Sequence, residues 1–162
     1  MSITGDDPTT ALMRACIAQA IENASSGRGG PFAALVVRDG VSIASGANAV
    51  TATYDPTAHA EVQAIRAAGS ALRAFDLSGC ELYASCEPCP MCLAAAYWAR
   101  FDCVYFAATR FDAAAAGFDD ARLYDELGQP TSQRTLPLVH ILLPEASAPF
   151  EEWNRNPNRI PY

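Results

Sequence analysis

Cys80-Glu81-Leu82-Tyr83-Ala84, then Pro90 to Arg100, then Cys103-Val104-Tyr105-Phe106-Ala107: these three pieces decide the fold. Two short runs, apolar and aromatic, flank a segment of helical length that opens on a proline, a residue favoured in a helix's first turn. A strand, a helix and a strand joined this tightly predict a crossover between parallel neighbours. Toward the N-terminus, Phe32-Ala33-Ala34-Leu35-Val36-Val37-Arg38 reads as a buried strand. Asp39-Gly40 is a two-residue hairpin signal, and Val41-Ser42-Ile43-Ala44-Ser45 alternates as the returning strand. Residues 8–24 read as a helix, because Leu12, Cys16 and Ala20 recur every four residues with Met13, Ile17 and Ile21 beside them. The loop Ser25 to Pro31 ends it. A polar connection from Asn48 to Thr57, turning at Asp55-Pro56, leads to a second helix over residues 58–73, with Val62, Ile65 and Leu72 inward.

Toward the C-terminus, Thr109 to Gln129 is expected to be partly helical. Leu136 to Leu143 reads as a fifth strand, with Pro137 placing its start at an edge. Residues 145–162 read as a short helix and a proline-rich tail. The order predicts an α/β fold: a three-layer α/β/α arrangement, with a mixed five-stranded sheet and helices on both faces. No repeat or linker divides it, so residues 1–162 are expected to form a single domain.

The composition suits such a core: 162 residues, 51% of them apolar and 18% charged. Eleven basic against eighteen acidic residues give a net charge of −7, which argues against a protein whose affinity rests on neutralising phosphates. No secretory leader is read in Met1 to Asp7, and the most apolar stretch, Cys92 to Ala108, is broken by Arg100 and Asp102. The expectation is a cytoplasmic protein with no membrane partner. In a reducing compartment its six cysteines point to metal or redox chemistry more than to disulfides.

Two pieces carry that chemistry: His59-Ala60-Glu61 and Cys86-Glu87-Pro88-Cys89. An imidazole and two thiolates, with the fourth position left for water, make a catalytic zinc set. His59, Cys86 and Cys89 are the expected ligands. Helix starts there would favour thiolate over thiol. Glu61, on the first turn after His59, is expected to move protons without binding the metal. The zinc-peptidase pattern needs a second histidine four residues after the first, and position 63 is Gln63. Other readings are a structural histidine, a redox pair of Cys86 and Cys89, and a closed zinc site with Cys92 as fourth ligand. Cys92 is otherwise expected in the core of the third helix, and Cys16, Cys80 and Cys103 as small hydrophobes.

Pro56-Thr57-Ala58-His59-Ala60-Glu61 and Ser85-Cys86-Glu87-Pro88-Cys89-Pro90-Met91-Cys92 resemble the cytidine/deoxycytidylate deaminase superfamily of zinc enzymes. Gly30-Pro31-Phe32, Tyr97-Trp98-Ala99-Arg100, Ala116-Gly117-Phe118-Asp119-Asp120 and the terminal Tyr162 are more closely similar to the small bacterial guanine deaminases. The resemblance covers nearly the whole chain, and departs where Ala49 follows Asn48. It implies a cytidine deaminase-like fold, one zinc on His59, Cys86 and Cys89, and Glu61 as proton shuttle. It also implies substrate contacts from Asn48, Phe32, Trp98 and Asp120, with Tyr162 closing over the ring. The implied reaction is hydrolysis of guanine to xanthine and ammonia, in a homodimer that exchanges C-terminal segments. Rival substrates are cytosine, adenine in tRNA or an aminotriazine; a structural zinc module is a rival of another class. A small nucleobase is the expected partner, not nucleic acid.

Overall fold

In the computed structural model, which describes residues 7–162, the hairpin forms as its sequence predicts. Asp39 and Gly40 both take positive φ, 52° and 74°, the conformation a two-residue turn between twisted strands requires. They join β1 (Ala33–Arg38) to β2 (Val41–Ala47) in antiparallel register, Arg38 opposite Val41. Before the hairpin runs α1 (Pro8–Ser25). Its start is set by Asp7, whose carboxylate accepts from the Thr10 N–H at 2.9 Å, with Pro8 in the first turn. Residues 1–6, which hold most of the stretch read as leader-free, lie outside the described residues.

After β2 the polar connection holds one helical turn, α2 (Val50–Thr53), and then α3 (Ala60–Leu72). β3 (Cys80–Cys86), α4 (Pro90–Trp98) and β4 (Cys103–Ala108) form the expected crossover, with β3 and β4 parallel and Leu82 opposite Val104. β3 also pairs antiparallel with β1, so the sheet order is β2-β1-β3-β4. The stretch after β4 holds α5 (Arg110–Ala115) and α6 (Asp120–Gly128); a 3₁₀ turn at Thr131–Gln133 and α7 (Ala148–Arg155) follow.

Alternation along β1 explains its unbroken apolar run. Ala34 and Val36 face α3 and α4, in a cluster with Ala60, Ala64, Ala68, Leu82 and Ala96. Ala33, Leu35 and Val37 face α1, in a second cluster with Cys16, Ala20 and Tyr83. A strand covered on both faces needs no polar side. The helices on both faces and the mixed sheet are therefore as expected, but the sheet has four strands. Residues 136–143 form no strand. An apolar run becomes a strand only where a neighbouring ladder takes up its N–H and C=O groups, and Pro137 has no N–H to offer.

The chain divides into two units, one ending at Tyr124 and one spanning Asp125–Tyr162. The first holds the sheet and both core clusters. The second holds the end of α6, the 3₁₀ turn and α7, and its apolar side chains, Leu136, Val139 and Leu142 among them, are exposed. Among the described residues no helix is long and apolar enough to cross a membrane.

Candidate active site

Two helix starts in the first unit build the site. His59 is the N-cap of α3 and Cys89 the N-cap of α4, both with extended backbone (ψ 154° and 167°). An N-cap side chain turns back over the helix's free N–H groups, where the positive end of the dipole favours a thiolate. Three residues on, Cys92 sits at the third helical position, the place an N-cap side chain reaches toward. One ligand atom each from His59, Cys89 and Cys92 lies within 4.8 Å of the others.

This cluster differs in one member from the metal set expected from the sequence. Cys92 belongs to the cluster and Cys86 does not. Cys86 ends β3, opposite Ala108 in the ladder, and its Sγ faces the Thr109 carbonyl at 3.5 Å. Burial pushes its thiol up to about 11. The sequence carries a signal for the pair that meets His59. Cysteines at i and i+3 across a helix start converge at one pole, whereas Cys86 and Cys89 are split between the end of a strand and the start of a helix. Cys92 is fully buried, as expected of a core residue of α4, and it also meets His59 and Cys89.

The donors fit zinc. Nitrogen and sulfur ligands at about 2.0 and 2.3 Å on a tetrahedral ion stand roughly 3.5 Å apart. His59 Nδ1 and Cys89 Sγ are 3.6 Å apart. The Cys92 thiol donates to Cys89 and holds it well below the ordinary thiol range, while its own proton is held more tightly. The pair thus shares one proton that a dication would displace. The same contact from Cys89 raises the His59 imidazole against the opposing effect of burial.

Glu61 lies in the first turn of α3, 8% exposed, and burial raises its carboxyl above the usual range. Together with His59 and Cys89 it lines a cavity of about 250 Å³. Phe32, Asn48 and Asp120, each expected at the substrate, line the same cavity. So does Phe118, which was not singled out; it stands edge-on to Phe32 with ring centroids 4.7 Å apart. Its signal in the sequence is Gly117-Phe118-Asp119-Asp120, where the acids are the more conspicuous candidates.

Trp98 lies elsewhere on α4. It is the last residue of α4, 66% exposed, and is not among the residues lining the cavity within one chain. α4 begins at the cavity and its nine residues carry the chain about 13 Å onward. Tyr162 ends the second unit and is 70% exposed.

Asp120 opens α6, and burial raises its carboxyl. The segment carrying it is tied to the cysteine loop. Tyr124 Oη donates to the Pro88 carbonyl at 2.7 Å. The Arg110 guanidinium lies 4.4 Å from the Tyr124 ring centroid, and the Arg110 N–H donates to Glu87 Oε2 at 3.0 Å.

With this geometry established, likeness to known proteins can be judged. Residues 7–108 match the family model of the cytidine and deoxycytidylate deaminase zinc-binding region. Over 151 residues the chain is 50% identical to a guanine deaminase of Bacillus subtilis (strain 168), covering 93% of this chain and 97% of that one. An X-ray structure of guanine deaminase from Bacillus subtilis superposes with a TM-score of 0.91 at 48% identity, covering 94% of this chain and 98% of that one. A tRNA-specific adenosine deaminase of Aquifex aeolicus (strain VF5) is 36% identical over 123 residues, 76% of this chain and 79% of its own.

Proposed function

The chain belongs to the cytidine and deoxycytidylate deaminase family, and from that premise we propose that it is a zinc-dependent aminohydrolase converting guanine and water to xanthine and ammonia. The observation that carries this is a buried carboxylate, Glu61, in one cavity with His59 and Cys89. A closed structural metal site would give that carboxylate no task. His59, Cys89 and Cys92 are the residues that would hold one zinc ion per chain. Zinc bound there supplies the Lewis acidity that makes water a nucleophile near neutral pH.

Glu61 takes a proton from the attacking water, which adds to the ring carbon bearing the amino group. It passes that proton to the adjacent ring nitrogen and serves again as the amine leaves as ammonia. Burial suits it to this, because a carboxyl raised toward neutrality can both accept and release a proton. Phe32 and Phe118 wall the base. Asn48 presents its amide to the purine edge, and Asp120 accepts from a ring N–H.

We infer a homodimer with exchanged C-terminal segments, in which Tyr162 closes over the base in the partner's cavity. Exposed Leu138, Val139, Ile141 and Leu142 in the second unit supply apolar surface for a second copy to cover. The reaction is assigned to the cytoplasm, where the metal-holding thiols stay reduced.

Ammonia release by the zinc-loaded protein, measured on guanine, adenine, cytosine, an aminotriazine, guanosine and a tRNA anticodon stem, tests the substrate. Guanine is expected to lead guanosine and the tRNA stem by at least about 10²-fold in kcat/KM. The net charge of −7 disfavours docking a phosphate backbone. Comparable efficiency on guanosine or the stem would overturn the free base as substrate.

A further inference from the structure

Asn23 is a polar side chain in α1, only 4% exposed, and it does not line the cavity. Its amide NH₂ spends both hydrogens on backbone carbonyls of two separate loops: Gly30 O at 2.8 Å and Asn48 O at 2.9 Å. The two loops also meet directly. Asn48 Oδ1 accepts from the Gly30 N–H at 3.2 Å and from the Val50 N–H at 3.4 Å, and the Asn48 N–H donates to the Phe32 carbonyl at 3.0 Å. Gly29 lies so close that a Cβ there would run into the Asn48 carbonyl and reach within 3.0 Å of Asn23 Nδ2. With its oxygen held by two N–H groups, Asn48 has its NH₂ left to offer a ligand in the cavity.

We propose that Asn23 is a positioning residue for base recognition: it clamps the Gly29-Gly30 loop to the Asn48 turn and so aims the Asn48 amide. This rests on the purine reading of the cavity above. The alternative role for a buried asparagine is to satisfy its own amide and stabilise α1. That role predicts a lower melting temperature and nothing particular at Asn48. The clamp instead predicts a loss that depends on Asn48. Losing an interaction made equally with bound substrate and transition state raises KM and leaves kcat in place.

The test uses zinc-loaded protein carrying Asn23→Ala, Asn48→Ala or both, with Asn23→Ser as a second variant that keeps one donor if the alanine form does not fold. Asn23→Ala is expected to raise KM for guanine about tenfold with kcat within about threefold of the parent. In the Asn48→Ala background the same change should alter kcat/KM by less than about twofold. Asn23→Asp, of equal size but aiming carboxylate oxygens at two carbonyls, should be at least as damaging as alanine. Independent effects in the double variant, or an Asn23→Asp protein with the parent's KM, would overturn the clamp. NMR of ¹⁵N-labelled ligand-free protein supplies a second arm. Asn23→Ser should shift the Gly30 amide and the Asn48 side-chain NH₂ resonances, and unmoved resonances overturn the proposal. A parent that leaves guanine untouched sinks the purine reading alone, since the NMR arm still decides whether Asn23 sets the Asn48 amide.

Discussion

Two apolar runs of similar length meet opposite fates in this chain. Leu35, Val36 and Val37 in β1 are 6% exposed or less, whereas Val139 and Leu142 in the second unit are each 81% exposed. The first run has a hairpin partner two residues away and β3 on its other side, so it is paired along both edges. The second has no such neighbour among the described residues, and its proline removes one donor. Burying a Val, Leu or Ile side chain is worth about 1.5–3 kcal/mol, so the second run has a strong demand for cover. Hydropathy measures that demand; it does not say which surface meets it. The first unit supplies core and chemistry from its own residues, and the second leaves its apolar run exposed.

The largest effect should come from breaking the metal pole of the first unit. A Cys89→Ser/Cys92→Ser protein is expected to lose stoichiometric zinc and to fall to background turnover, while Cys86→Ser keeps about one zinc per chain, as metal analysis would show. Zinc lost from Cys86→Ser and retained in Cys92→Ser alone would favour the ligand set His59, Cys86 and Cys89 instead. Next in size is Glu61→Gln, which preserves shape and removes the proton acceptor. Turnover should fall about 10²–10⁴-fold with zinc content and melting temperature near the parent's. A variant within a few-fold of the parent would remove Glu61 from the proton path.

The smaller effect lies in the second unit. Deleting Arg159 to Tyr162 should leave zinc content and melting temperature nearly unchanged and lower guanine turnover by at least about tenfold, as loss of a closing element does. Full activity would reduce the tail to a frayed end. Mixing this deleted chain with the Glu61→Gln chain sharpens the contrast. Two impaired proteins regain turnover together only if Tyr162 serves the partner's cavity, and an unchanged mixture would place it over its own.

Local signals were enough for much of the first unit. Asp39-Gly40 specified its hairpin because two positive-φ residues are a property of the turn alone. Pro8 and Pro90 stand in the first turns of α1 and α4, and His59 and Cys89 cap α3 and α4, as the sequence suggested. The zinc chemistry of an imidazole, two thiolates and a nearby carboxylate was legible from residue types and spacing. Which cysteine joins the metal was not, since a ligand set is defined by convergence in space. Cys86, at a strand end, and Cys89, at a helix start, both line the cavity, but only Cys89 draws together with His59 and Cys92. Trp98 shows the same limit: α4 opens at the cavity, yet Trp98 at its other end is 66% exposed and outside the cavity lining of one chain. Asn23 gave no sequence signal, because a lone asparagine near a helix end reads as an ordinary polar residue. Only tertiary structure brings two loops, Gly30 and Asn48, onto its amide. The sequence by itself determined the local turns and the chemistry available. Tertiary structure decided which side chains meet and which apolar run finds a partner, because both depend on long-range contacts that no local pattern encodes.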